Sequence, residues 1–426
     1  MKLFKFFLLS LVVLSLVSIS CSTTSMPRSG PYDIPQDFFG LVHAGQNIEH
    51  YELLNELGAV WCLHTFYWEF METKKGEFDF LWSDLFVDLA KSQGKKVIAV
   101  VGYETPWIFP EGKRKRYIPK ENVPDFLNFL EITVNRYKGK VDAWQIWNEP
   151  NWIYWKGPNK EFYELIRLSN QRIRETDPDA YIVGGGFWRN PKNFIREMHR
   201  AGAFENIDAV SFHPYATTPR GSTNIYDDFV KLMAELNFTG DIWITEVGYP
   251  TAGWYPTTVS LANYPSFIIK TIAGSAARGA RALLWYEFFD SYNMGEAPNN
   301  TDSEMFFGLV YPDLTRKDGA WSYELCARYL PGTRYNPDLP VRENVNANIV
   351  SFCFTAGTSA NNVLLLWNDR KSTQKIRVTL GSSFTLHDIA TGESVVMQDN
   401  SILDISNQPS FITWQGSVNP AITRIP

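Results

Sequence analysis

Histidine and cysteine are scarce, with six and four residues in a chain of 426. No His-x-x-x-His or Cys-x-x-Cys pair occurs, so the spacings that set two metal ligands side by side are missing and no metal is expected. Beyond Cys21, the cysteines Cys62, Cys326 and Cys353 are odd in number and far apart, which argues against a disulfide framework and for buried free thiols. No Gly-x-Ser-x-Gly elbow marks a serine nucleophile. No Gly-x-Gly-x-x-Gly loop follows an early strand, so neither a nucleotide cradle nor any cofactor is expected. The run Gly184-Gly185-Gly186 comes late, lacks that spacing and reads as a tight turn at a strand end. Lys and Arg form no dominant block and the net charge is −6, which argues against a nucleic-acid partner.

What is present begins at the N-terminus. Lys2 and Lys5 precede an apolar run from Phe6 to Val17, followed by Ser18, Ile19, Ser20 and Cys21. A charged start, a short apolar stretch and a small-residue exit describe an export signal over residues 1–21, too short for a comfortable membrane span. The placement of Cys21 resembles a bacterial lipoprotein processing site, which implies a lipid anchor on Cys21 and a periplasmic or cell-surface location. Ser18 stands where such sites usually carry Leu, and plain cleavage near Ser20–Ser22 is the alternative. Residues 22–37, rich in Ser, Thr, Pro and Gly without periodicity, read as a flexible tether.

From residue 38 to 331, short apolar runs alternate with segments of helical period. The strand candidates are Phe39–His43, Ala59–Phe66, Lys96–Gly102, Ala143–Trp147, Ala180–Gly184, Ala209–Phe212, Ile242–Thr245 and Ala282–Tyr286. Helix candidates between them include Val123–Tyr137, Lys160–Thr176, Tyr226–Leu236 and Leu261–Arg278. Eight such units predict an α/β fold, a closed (β/α)8 TIM barrel, over an open doubly wound sheet. Residues 332–348, rich in Pro and Asn, read as a linker. From 349 to 426 brief alternating runs punctuated by Gly, Asn, Asp and Ser predict a small C-terminal β-sandwich, with strands at Ile349–Phe354, Val363–Trp367, Ile376–Leu380, Phe384–Asp388, Ser394–Met397 and Phe411–Trp414.

In such barrels chemistry sits where strands end at their C-terminal side. The fourth run ends in Trp147-Asn148-Glu149-Pro150 and the seventh in Thr245-Glu246-Val247-Gly248. Strands four and seven stand on opposite walls, so the two carboxyl groups can converge across the mouth. Two carboxyls flanking one glycosidic bond at about 5–5.5 Å are what hydrolysis with retention requires, one attacking and the other exchanging a proton with the leaving oxygen. The bland alternative is a pair of ordinary strand-end glutamates.

Trp144-Gln145-Ile146-Trp147-Asn148-Glu149-Pro150-Asn151 resembles the acid/base motif of the retaining (β/α)8 glycoside hydrolases of clan A. Ile242-Trp243-Ile244-Thr245-Glu246-Val247-Gly248-Tyr249-Pro250 is similar to that clan's nucleophile motif. The resemblance runs over nearly the whole barrel, through Gly102–Trp107, Ser211–Tyr215 and Leu284–Asp290, and is closest to family 39, with family 5 also similar. It implies Glu149 as acid/base, Glu246 as nucleophile and Asn148 as partner of a sugar 2-hydroxyl. Many relatives carry an Arg on strand two near the nucleophile. The matching stretch here reads Trp61-Cys62-Leu63-His64-Thr65-Phe66, with His64 as a partial replacement.

The supporting residues follow from position. His213 and Tyr215 flank Pro214 after strand six, and Trp285 ends strand eight as a candidate floor for a bound sugar. Trp107, Trp68, Tyr103 and His43 lie at or just beyond strand ends and serve equally as cleft lining or core, as do Trp147 and Trp152. Glu287 is a further carboxylate placed for hydroxyl contact, with Glu104 and Asp290 beside it. The expected activity is hydrolysis of a β-linked poly- or oligosaccharide. The alternatives are a non-catalytic glycan-binding envelope lipoprotein and a transglycosylase using the same site.

Overall fold

The computed structural model describes residues 31–45, 47–109, 115–293, 302–416 and 419–425. Eight parallel strands close into a barrel. They are β1 Phe39–Val42, β2 Trp61–Tyr67, β3 Lys96–Gly102, β4 Ala143–Ile146, β5 Ile182–Trp188, β6 Ala209–His213, β7 Asp241–Val247 and β8 Ala282–Trp285. β3 shows why these runs are continuously apolar. Ile98 and Val100 point into the barrel while Val97, Ala99 and Val101 meet the helices, so both faces are buried. The interior also holds Trp61 and Trp243, whose rings meet at 4.8 Å, beside the small Ala143, Ala209 and Ala282. Large and small side chains share each layer, and the lower end of the barrel is plugged.

Eight main helices surround the strands: α1 Ile48–Glu56, α2 Leu81–Ser92, α3 Val123–Tyr137, α4 Asn159–Thr176, α5 Lys192–Arg200, α6 Pro219–Glu235, α7 Tyr264–Ala276 and α8 Asp318–Tyr329. In α3, Pro124 falls in the first turn, where a missing N–H costs nothing, and Phe126, Phe129, Leu130 and Val134 form the buried stripe. Burying Phe129 contributes about 2 kcal/mol.

Two expectations are corrected. The last part of the expected tether belongs to the folded body: Ile34 is buried and its N–H donates to Thr333 O at 2.7 Å, while Asp37 clamps Arg281 and Lys96 at 2.7 and 2.6 Å. Apolar contact and fixed ion pairs override the Pro/Gly-rich composition there. Residues 22–30, and the export segment with Cys21, lie outside the described residues. The expected linker contains two strands, β9 Thr333–Asn336 and β10 Val341–Glu343. Both are edge strands, where the flanking prolines remove no ladder hydrogen bond, so the composition masked them.

The C-terminal domain has a six-stranded and a four-stranded sheet, as a sandwich requires. It is joined to the barrel without a gap. Ser322 Oγ of α8 donates to Ile389 O at 2.6 Å, Lys270 Nζ of α7 donates to Asn407 O at 2.6 Å, and Phe354, Leu365 and Phe411 share one apolar cluster with the barrel helices. Cys62, Cys326 and Cys353 are buried and unpaired.

Candidate active site

β4 ends at Ile146, and the chain then turns through Trp147 and Glu149 at φ 71 and 42, left-handed values that L-residues adopt only when held there. The hold comes from the neighbouring strand. Glu149 N–H donates to Gly186 O at 2.8 Å, and Gly186 N–H donates to Ser211 Oγ at 2.7 Å. Ser211 Oγ donates to Gln145 Oε1 at 2.8 Å, and Gln145 Nε2 donates to Trp147 O at 3.0 Å, closing the loop. Gly184, Gly185 and Gly186 are therefore not a strand-end turn. They lie inside β5, where the pairing with β6 slips by one residue between Gly184 and Phe187. A Cβ on Gly186, at φ 61, would stand 2.6 Å from Gln145 Nε2, so only glycine allows this approach.

Glu246 is the penultimate residue of β7. Along that strand Ile242 and Ile244 face the helices and Trp243 faces the barrel interior, so strict alternation would turn Glu246 outward. The register against β8 shifts between Leu283 and Trp285, opposite Ile244 and Val247, leaving one extra residue on β7. This bulge re-aims Glu246 into the mouth. There Asn148 Nδ2 donates to Oε1 at 3.4 Å and the Tyr215 hydroxyl donates to Oε2 at 3.2 Å.

His213, at the end of β6, is fully buried behind both carboxyl groups. Its Nδ1 lies 2.7 Å from Glu149 Oε1 and 3.4 Å from Glu246 Oε2, and its Nε2 lies 3.2 Å from Thr245 Oγ1. Ligand atoms of Glu149, His213 and Glu246 all fall within 4.8 Å of one another. Burial pushes Glu149 up to about 8. Burial also pushes Glu246 up to about 7; His213 and His43 beside it and the Tyr215 hydrogen bond pull down, while Glu149 pushes up. The hydrogen bonds that Asn148 and Tyr215 donate to Glu246 favour the charge there and leave the shared proton with Glu149. Burial lowers His213, and the charge of Glu246 opposes it. One hydrogen then bridges Nδ1 and Glu149 in either state: the carboxyl donates it when protonated, and the imidazole donates when the carboxylate is ionised. The Thr245 hydroxyl turns to accept or donate at Nε2 accordingly.

A metal held by this trio would spread its ligand atoms to roughly 3.3 Å, given bonds near 2.0–2.1 Å. The 2.7 Å between Nδ1 and Oε1 is hydrogen-bond spacing instead.

Both carboxyls open into a cleft of about 1100 Å³, lined also by Asn148, Tyr215, His43 and Tyr103. His43, at φ 55, is half-exposed; burial pulls its pKa down, but the Glu287 hydrogen bond at 2.6 Å and the charges of Glu287, Glu246 and Glu304 outweigh it and the net shift is upward. Glu287 is buried beneath His43 and orients it without lining the cleft.

Three expected sugar-facing aromatics are placed elsewhere. Trp285 faces the helix layer, its Nε1 donating to Tyr264 Oη at 3.2 Å, because alternation on β8 sends Leu284 inward; the next residue, Tyr286, lines the cleft instead. Trp68 is fully buried against Phe126 and Phe129 and donates to Glu72. Trp107 packs on Trp68 and donates to Glu72 O at 2.8 Å. His64 stacks on Phe86 at 4.0 Å between β2 and α2, facing away from Glu246, so it replaces no strand-two arginine. Trp147 is core, Trp152 and Glu104 line the cleft, and Asp290 is buried in an ion pair with Lys317 at 2.6 Å.

Sequence reading missed Tyr67, Tyr154, Trp188, Arg189, Arg116, Tyr255 and Glu304, all of which line the cleft. Tyr67 continues the inward phase of Leu63 and Thr65 on β2, a signal present in the sequence. Trp188 and Arg189 were hidden because the triple glycine reads as the end of β5, which runs on to Trp188.

No family model matches the chain. It is 25% identical over 264 residues, 56% of this chain and 71% of the relative, to a β-1,4-xylanase of Dictyoglomus thermophilum. A solved family 39 glycoside hydrolase from the gut symbiont Bacteroides cellulosilyticus WH2 superposes with a TM-score of 0.74 at 19% identity, covering 89% of this chain and 81% of that one. The two chains share one fold, a parallel eight-stranded barrel with a C-terminal sandwich. A family 39 β-xylosidase from Caulobacter crescentus follows at a TM-score of 0.67 and 15% identity, covering 92% of this chain and 98% of its own. Coverage on that scale takes in the sandwich as well as the barrel.

Proposed function

We propose that this chain is a retaining glycoside hydrolase of β-linked poly- or oligosaccharides, with Glu246 as nucleophile and Glu149 as acid/base. One observation carries the reading: two buried carboxyls, offering oxygens within 4.8 Å of each other, share a cleft and a buried histidine. That spacing is nearer to the separation of a retaining pair, about 5–5.5 Å, than to that of an inverting one, about 6.5–9.5 Å. The hydrogen bonds support the same roles, since Tyr215 and Asn148 hold the charge on Glu246, the carboxylate that must attack.

In the first step Glu246 bonds to the anomeric carbon while the glycosidic C–O bond breaks and Glu149 hands its proton to the leaving oxygen. Esterification removes the charge on Glu246, so Glu149 is left free to ionise. In the second step Glu149 takes a proton from water as the water oxygen attacks the same carbon, which releases Glu246. The Tyr215 hydroxyl and Asn148 amide hold Glu246 in line, and the bridging hydrogen on His213 follows both states of Glu149. The β-1,4-xylanase and β-xylosidase names of similar proteins favour a β-linked glycan, and the cleft has room for several sugar units. A sugar hydroxyl replacing water in the second step would make the same site a transglycosylase, which product analysis with added acceptors reads directly.

The test is a β-glycan and aryl β-glycoside panel run with protein from Ser25 onward, beside Glu246→Ala and Glu149→Ala. Turnover should vanish in the Glu246 variant; wild-type rates surviving there would sink the assignment. Export and lipid attachment at Cys21 belong to the same proposal, and Cys21→Ser should move the full chain out of the membrane fraction.

A further inference from the structure

The wall of the cleft beyond Glu149 carries two guanidinium groups, those of Arg116 and Arg189, that are in no ion pair among the described residues. Arg116 is pinned at φ 57, its N–H donating to Glu104 Oε1 at 2.8 Å and its carbonyl accepting Lys156 N–H at 2.7 Å. Its guanidinium makes a single hydrogen bond, to Ile153 O at 3.2 Å. Arg189 is pinned at φ 58 by its N–H donating to His213 O at 2.9 Å. Its guanidinium lies over the Trp188 ring at 5.6 Å and has no ion pair or hydrogen bond among the described residues.

An aromatic platform lines the same wall as the two arginines. Trp152 stacks on Trp188 with centroids 4.3 Å apart and planes at 21°, and stays 48% exposed toward the cleft. The platform is tied to the chemistry, because Trp152 N–H donates to Glu149 O at 3.0 Å. Asn151 grips Trp188 through both backbone groups, at 2.9 and 3.0 Å.

Elsewhere on the barrel arginines are bound to carboxylates, as in Arg136–Asp84, Arg174–Asp208, Arg278–Asp227 and Arg281–Asp37. The cleft itself is rich in glutamate, yet neither of these two guanidiniums pairs with a carboxylate among the described residues. A neutral sugar would be served by Trp152 alone. Two planar cations beside a ring-sized platform match a ring that carries a carboxylate.

We infer that this wall is a subsite for a hexuronic acid residue in the leaving group, with Trp152 under its ring and Arg116 and Arg189 on its carboxylate. The inference rests on the hydrolase reading, which also fixes the side: attack by Glu246 expels the leaving sugar on the opposite face, toward Glu149.

The test pairs β-linked oligosaccharides bearing one hexuronic acid on the reducing-end side with their carboxyl-reduced counterparts. Binding is measured with Glu246→Gln protein, and turnover with wild type. The acid should bind about tenfold more tightly than its reduced twin and show a lower KM, and 0.5 M NaCl should narrow the gap. Arg116→Gln and Arg189→Gln should each remove most of the preference by weakening binding of the acid far more than binding of its reduced twin. Equal binding of the two members of a pair, binding of neither, or a preference that survives both substitutions would overturn the subsite. Loss of aryl glycoside turnover in the wild type would instead strike the hydrolase reading, while the binding comparison would still report on the wall.

Discussion

Glu246 sits inside a hydrogen-bonded strand, whereas Glu149 sits past the end of one, on a turn with left-handed residues at both ends. Each is aimed by a bulge, but the bulges stand in different places. The one on β7 lies beside Glu246 itself, between its flanking pairs with β8. The one that serves Glu149 lies on the neighbouring β5, whose Gly186 carbonyl takes the Glu149 N–H. In the proposed reaction the nucleophile must meet one carbon along one line, and a strand supplies that rigidity. The acid/base of that reaction works on two different oxygens, the leaving group and then water. It needs a partner that accepts a hydrogen bond from the protonated carboxyl and donates one to the ionised carboxylate. His213 is placed to be that partner. The difference teaches that one pair of glutamates was built to two mechanical specifications.

The largest break in this comparison comes from truncating each side chain. Glu246→Ala should reduce turnover roughly 10⁴-fold or more on every substrate, because no covalent intermediate can form. Glu149→Ala should spare aryl glycosides whose leaving groups need no proton, and an added small anion such as azide should partly restore the second step. Steady-state rates on a series of leaving groups separate the two. A Glu149 variant equally dead on all of them would remove the acid/base role.

A smaller effect isolates the borrowed support. Gly186→Ala puts a Cβ 2.6 Å from Gln145 Nε2 at a positive φ, so the turn under Glu149 must shift. Misplacing the acid by about 1 Å costs on the order of 10²-fold in kcat for poor leaving groups. Gly94→Ala is the control. Its φ is +68 with nothing within 4 Å of the added Cβ, so it should lose about 1–2 kcal/mol of stability and no activity. Equal kcat losses in the two variants would show that the β5 support is not specific.

The contrast also explains what the sequence could reveal. Strand β3 and helix α3 were legible to the residue, because an apolar run covered on both faces and a 3.6-residue stripe are unambiguous periods. The meeting of Glu149 and Glu246 in one cleft was legible from the fourth and seventh strands whose ends carry them. The bulges were not, since an extra residue in a strand changes no local composition. That is why Gly184–Gly186 reads as a turn and why Trp188 and Arg189 escape notice. Trp285 and Trp68 fail for the converse reason. A tryptophan near a strand end carries no label for the face it takes, and alternation on β8 turned Trp285 to the helices.

The pH profile sharpens the comparison more gently. On the proposed roles activity needs Glu246 ionised and Glu149 protonated, so kcat/KM should rise through the first proton loss, near 7, and fall through the second, near 8. Both limbs belong to the coupled pair, which makes the bell narrow. The Tyr215 hydrogen bond lowers the proton affinity of Glu246. Tyr215→Phe should therefore move the acidic limb upward by about half a unit and leave the alkaline limb nearly in place. A shift of both limbs together would mean that the hydroxyl does not discriminate between the two carboxyls.

The smallest effect is on stability. Both carboxyls hold their protons more tightly in the folded chain than the ordinary value of 4.5. Below that value folded and unfolded chains are equally protonated, and nothing is lost. As pH rises toward the folded values, the unfolded chain ionises freely while the buried groups resist, so stability falls through about pH 5–8. Glu149→Gln cannot ionise and should match the wild type in thermal melting near pH 4 but exceed it by roughly 2–4 °C at pH 8. Glu246→Gln should gain less, because its proton affinity is raised less and the replacement gives up a carboxylate that Tyr215 and Asn148 hold. The reverse ranking would place the greater burial strain on the nucleophile, and with it would fall the ionisation order on which the division of roles depends.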